Sequence, residues 1–129
     1  MAPFRSLSAI RRASVVPDGY AQMVDVTSVR ALYLFVPETY NPDNDFNARM
    51  FVPHYGIAED PATGAGAGCL AAYLLEQVRP DTESVDVRIE QGYEMGRPSI
   101  LFARARRGNG GTRLAVGGRV AMVAQGNFI

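Results

Sequence analysis

Cysteine and histidine are almost absent from this chain: Cys69 and His54 each stand alone among 129 residues. A single cysteine excludes an internal disulfide, and one histidine leaves no His/Cys cluster of the kind that holds zinc. No metal is therefore expected, and a reducing, cytoplasmic setting is compatible with the thiol count. An excess of charge of either sign is lacking as well. The 13 acidic and 13 basic side chains cancel, so the composition asks for neither nucleic acid nor an anionic membrane surface. No apolar run approaches the length of a membrane span, and the opening residues Met1 to Arg12 lack the uninterrupted apolar stretch of a signal peptide. With 47% apolar and 20% charged residues, the chain reads as one globular domain long enough to bury a core.

Local patterning predicts an α+β fold. Residues 31 to 36 form a continuous apolar run ending at Pro37, which suits a strand buried on both faces. Phe46, Ala48, Met50 and Val52 alternate with their neighbours in a second strand closed by Pro53. Val85, Val87 and Ile89 alternate with Asp86, Arg88 and Glu90, and Ser99 to Arg106 forms a further run. Asn109-Gly110-Gly111 and Gly117-Gly118 are hairpin-type turns, the second flanked by strands over 113–116 and 119–123. Ser14-Val15-Val16-Pro17-Asp18 suits a strand entering a turn, and Tyr20 to Arg30 an exposed helix. The strong helix runs from Ala65 to about Val78, and its middle carries no charge on any face, so it is expected to be buried all round, Cys69 with it. A curved, mainly antiparallel sheet wrapped as a roll around that helix satisfies the pattern.

The informative segment leads into the helix: Glu59-Asp60-Pro61-Ala62-Thr63-Gly64-Ala65-Gly66-Ala67-Gly68. Pro61 biases Asp60 toward an extended or turn conformation. The glycines remove β-carbons that would block an approaching ligand, and the first N–H groups of the helix have no helical partner. The result is a cradle for a carboxylate or phosphate with an acid at its lip. The loop lacks the Gly-Lys-Ser/Thr ending of a nucleotide-binding Walker motif. The glycines equally suit tight packing of a helix against a strand. Glu59 reads as a solvated neighbour, and His54 as a structural loop residue.

Several stretches resemble, in order, the PhzF family named for phenazine biosynthesis, within the diaminopimelate-epimerase-like fold. They are Ala48-Arg-Met-Phe-Val-Pro, Gly56-Ile, Glu59-Asp-Pro-Ala-Thr-Gly-Ala-Gly-Ala-Gly, Leu70-Ala-Ala-Tyr-Leu, Gln91-Gly-Tyr-Glu-Met-Gly-Arg-Pro-Ser, and Val116-Gly-Gly-Arg-Val followed by Gly126. The resemblance runs from about Tyr33 to the end and implies only the second of two similar halves, with residues 1–129 as a single C-terminal-half domain. It implies a cofactor-independent isomerase or epimerase that moves a proton in a small carboxylated metabolite. Asp60 would be the catalytic acid, and Thr63, Gly64, Ala65 and Gly66 would bind the substrate carboxylate. Ala65 replaces the serine common in the family, so one hydroxyl donor is lost. A homodimer mate or a separately encoded N-terminal-half chain would complete the cleft. A non-catalytic acid-binding or interaction domain derived from the same fold is the alternative.

Overall fold

The computed structural model describes residues 1–127. Seven strands share one mixed sheet: β1 (Ala2–Pro3), β2 (Leu32–Val36), β3 (Phe46–Val52), β4 (Ile57–Asp60), β5 (Ser84–Gln91), β6 (Ser99–Arg106) and β7 (Arg113–Gly118). Their order in space is β1-β2-β3-β5-β6-β7, with β4 also paired to β3. β1–β2 and β3–β5 are parallel and the other pairings antiparallel. Three helices accompany them: α1 (Leu7–Arg11), α2 (Pro17–Val26) and α3 (Gly64–Tyr73). The expected α+β class and mainly antiparallel sheet are what is seen. No helix among the described residues is long and apolar enough to cross a membrane.

Two layers of side chains explain the apolar runs. From β2 and β3, Tyr33, Phe35, Phe46 and Ala48 point toward α3 and meet Leu70, Leu74, Leu75, Val87, Ile89 and Leu101 in the main core. Leu34, Val36 and Phe51 point the other way and pack with Ile10 of α1. Full burial of a side chain such as Leu70 or Ile89 contributes about 1.5–3 kcal/mol. β5 and β6 have only one face in the main core, which accounts for the alternation of buried and exposed residues over 84–89 and 101–106.

α3 is less enclosed than its composition suggests. Ala65 and Cys69 are exposed, and Ala72 is half-buried. These lie on one stripe of the helix, while the opposite side carries Ala67, Leu70, Ala71 and Leu74 into the core. The sheet covers the helix through β5, β6 and β7. Cys69 is thus a surface thiol and not a core residue. The helix ends in a π-type turn over Leu74–Val78, where the Arg79 N–H reaches the Leu74 carbonyl at 2.7 Å.

Two further expectations are corrected at the chain ends. Gly117 and Gly118 stay paired with Phe102 and Leu101, so they extend β7 instead of reversing it. Residues 119–127 then form no strand, and Val120, Met122 and Val123 are exposed. Near the start, Ser14 to Val16 lie outside any strand, and α2 begins at Pro17, a residue pre-set for the first helical position. α1 was not expected; its cap is Ser6, whose Oγ accepts the Ala9 N–H at 3.1 Å.

Candidate active site

The sheet topology brings two strand ends together. β5 runs beside the first part of β3, with Gln91 opposite Ala48. β4 runs the other way beside the last part, with Asp60 opposite Met50. The C-terminal ends of β4 and β5 therefore meet along one edge of β3. Ala58 is an extra residue in β4, and this bulge sits where Val52 pairs with Ile57.

Successive side chains of β4 point to opposite faces. Glu59 turns toward the α1 layer, where Arg49 grips it bidentately, Nε to Oε1 and Nη2 to Oε2, both at 2.8 Å. The same guanidinium donates through Nη1 to the carbonyls of Ile10, Arg11 and Ala13. The hydrogen bonds that Arg49 donates to Glu59 raise its pKa against the opposing effect of burial. Glu59 is consequently a half-buried ion-pair partner and not a solvated residue. His54 is exposed beside it, lining a cavity of about 510 Å³ with Tyr20, Arg49, Phe51 and Glu59.

Asp60 points to the α3 side. Thr63 Oγ1 donates to Asp60 Oδ2 at 2.5 Å. Gln91 holds both: its Nε2 donates to the Asp60 carbonyl at 2.7 Å and to Thr63 Oγ1 at 3.0 Å, and its Oε1 accepts the Thr63 N–H at 3.2 Å. Thr63 occupies the N-cap position of α3, yet its hydroxyl makes no cap bond because Asp60 receives it. The first backbone bond of the helix runs from the Ala67 N–H to the Thr63 carbonyl at 3.0 Å. The amides of Gly64, Ala65 and Gly66 lie ahead of that ladder. The five residues singled out from the sequence thus share one turn, with Asp60 and Thr63 in direct contact.

The glycines serve packing as well. A Cβ on Gly66 would sit 2.5 Å from the Tyr33 ring, and one on Gly68 3.3 Å from Val116. Beside Gly64 a cleft of about 550 Å³ opens, lined in part by Ala62, Ser99, Gly117 and Arg119. Arg119 is its one charged lining residue; Asp60 does not line it.

Sequence reasoning missed Gln91, Glu90 and Arg119 as individuals. Glu90, expected to alternate outward, is fully buried and accepts from the backbone N–H groups of Tyr40 and Asn41 and from Asn44 Nδ2, fastening the turn before β3. The available signal was two adjacent polar residues at a strand end in front of Gly92. That glycine has φ +81°, and a Cβ there would lie 2.4 Å from the Arg97 carbonyl oxygen and 2.8 Å from that of Pro61. Gly92→Ala is expected to cost about 1–3 kcal/mol and to shift the amide resonances of Ala62 and Thr63. Urea unfolding and a two-dimensional NMR spectrum check both, and unchanged loop resonances would refute the coupling of Gly92 to the turn.

A family profile described as phenazine biosynthesis-like protein matches residues 1–126. This chain belongs to the phenazine biosynthesis-like, or PhzF, family. It is 40% identical over 85 residues to the trans-2,3-dihydro-3-hydroxyanthranilate isomerase of Pseudomonas chlororaphis, covering 65% of this chain and 30% of that protein. It is 32% identical over 130 residues to an uncharacterized isomerase of Mesorhizobium japonicum, covering 98% of this chain and 43% of the relative. A crystal structure of a PhzF-family phenazine biosynthesis protein from Bacillus anthracis shares the fold, with a TM-score of 0.79 at 19% identity, over 88% of this chain and 40% of that one. This PhzF-family chain therefore spans well under half the length of these relatives.

Proposed function

We propose that this chain is half of a PhzF-like isomerase or epimerase, equivalent to one half of a diaminopimelate-epimerase-like fold, moving a proton within a small carboxylated metabolite without a cofactor. The observation that carries the reading is the turn itself: Asp60, its carboxylate accepting from Thr63 and its backbone carbonyl from Gln91, directly before helix amides free of the helical ladder. Proton transfer at carbon requires a base within hydrogen-bonding reach and N–H dipoles where negative charge develops. Asp60 supplies the first, and the amides of Gly64, Ala65 and Gly66 supply a carboxylate seat. Because the Thr63 N–H and hydroxyl are engaged by Gln91 and Asp60, the seat rests on those three amides, with Arg119 across the adjoining cleft. The named isomerase relatives support the reaction class.

A second half completes the cleft in this reading, from a homodimer mate or a partner chain. The test is solvent-deuterium incorporation into trans-2,3-dihydro-3-hydroxyanthranilate, the compound in the name of one relative, by the purified chain with its mass measured by light scattering. A dimer that incorporates deuterium at carbon supports the reading. A stable dimer that binds the compound without exchange refutes it in favour of an acid-binding domain, the reading that Ala65, with no side-chain hydroxyl, favours.

A further inference from the structure

Gln91 has no exposed surface and bonds three groups of the Asp60–Thr63 turn. Its amide has one acceptable orientation. Oε1 faces an N–H, that of Thr63, and Nε2 faces a carbonyl, that of Asp60. Exchanging the two would set donor against donor and acceptor against acceptor. Backbone groups therefore fix the amide, and Nε2 also reaches Thr63 Oγ1 at 3.0 Å. A threonine hydroxyl carries a single hydrogen, and an amide nitrogen cannot accept it. That hydrogen is directed to the other neighbour, Asp60 Oδ2. Donation runs one way, from Gln91 to Thr63 to Asp60. Oδ2 is thereby engaged as an acceptor, whereas no donor among the described residues reaches Oδ1.

We propose that Gln91 is the positioning residue of this site: acting through Thr63, it aims the Asp60 carboxylate and reserves Oδ1 for proton exchange with the substrate. The proposal rests on the reading of Asp60 as the acid–base group. In the step, Oδ1 takes a proton from substrate carbon, the electron pair stays on the substrate, the Oδ1–H exchanges with solvent, and Oδ1 returns a proton at the end of the shift. Nothing is oxidised or reduced. Oδ2 remains an acceptor whether or not Oδ1 carries the proton, so the Thr63 bond holds the carboxyl plane through both halves of the transfer.

The test has two readouts on the 129-residue chain. Three-bond NMR couplings report the Thr63 χ1 rotamer in the free protein. Deuterium incorporation into trans-2,3-dihydro-3-hydroxyanthranilate gives kcat and KM separately. Gln91→Met keeps the bulk and removes all three polar contacts; Thr63→Val removes the hydroxyl while leaving Gln91 in place; Thr63→Ser retains it. The expected result is one Thr63 rotamer in the wild type and averaging in Gln91→Met. kcat should fall about 10-fold to 100-fold in Gln91→Met and in Thr63→Val, with KM within about twofold and near-normal turnover in Thr63→Ser. The double variant should be no slower than either single one, because both break the same chain of bonds. A fixed Thr63 rotamer in Gln91→Met, averaging already in the wild type, or undiminished kcat in Thr63→Val would overturn the proposal. Should Gln91→Met fail to fold, Thr63→Val still decides it. Absence of turnover in the wild type would count against the isomerase reading, and the couplings alone would then decide whether Gln91 directs Thr63.

Discussion

Asp60→Asn should lower the rate of proton transfer by about 10²–10⁴-fold, the range typical for loss of a general acid or base, while leaving the protein folded. The amide oxygen of the new side chain still accepts from Thr63, and the contacts of Gln91 to the turn use the backbone of residue 60, so the local structure has no reason to change. The variant loses only the ability to take and return a proton. Deuterium incorporation measured beside a thermal melt separates the two effects. Retention of the wild-type exchange rate would remove Asp60 from the chemistry.

The largest stability effect is expected at Arg49, on the other face of the sheet. Arg49→Met leaves Glu59, whose side chain is 13% exposed, with no cation, and deprives the carbonyls of Ile10, Arg11 and Ala13 of a shared donor. Breaking a buried ion pair from one side costs about 3–5 kcal/mol. Adding Glu59→Leu should recover part of the loss, since the stranded charge goes with it, but not all, since the three carbonyls stay without Arg49. Chemical denaturation of the single and double variants checks this. A single variant within about 1 kcal/mol of the wild type would mean that the pair behaves as a surface salt bridge.

Much of this architecture was legible because the strands obey simple periodicities. β2 and β3 carry apolar residues on both faces, and β5 and β6 on one, so their runs could be placed within a residue or two. The Asp60–Gly66 turn announced itself through Pro61 and the glycines. The rest depends on pairing, which a linear pattern does not contain. That Glu59 and Asp60 face opposite layers follows from β4 adding to β3, and β4 is too short and too exposed in its first half to show a period. Gln91 matters only because β5 ends where β4 ends, and these are 31 positions apart. Glu90 breaks the alternation of β5 to hold a turn nearly 50 positions away. The openness of α3 was hidden for another reason: a helix of small apolar residues looks the same whether the sheet encloses it or leaves one side uncovered.

The parallel pairing of β3 with β5 has a consequence for kinetics. Everything from Pro53 to Glu83, including β4, the Asp60 turn and α3, lies in the connection between these two strands. Loop closure must be achieved before such a pairing yields any contact energy, which places folding on the order of milliseconds to seconds instead of microseconds. The Gln91 clamp forms only when β5 docks, so the turn acquires its geometry in the same late event that joins the two parts of the sheet. A compound seated at the turn should accordingly leave the refolding rate almost untouched and retard unfolding, since its contacts are absent from the transition state.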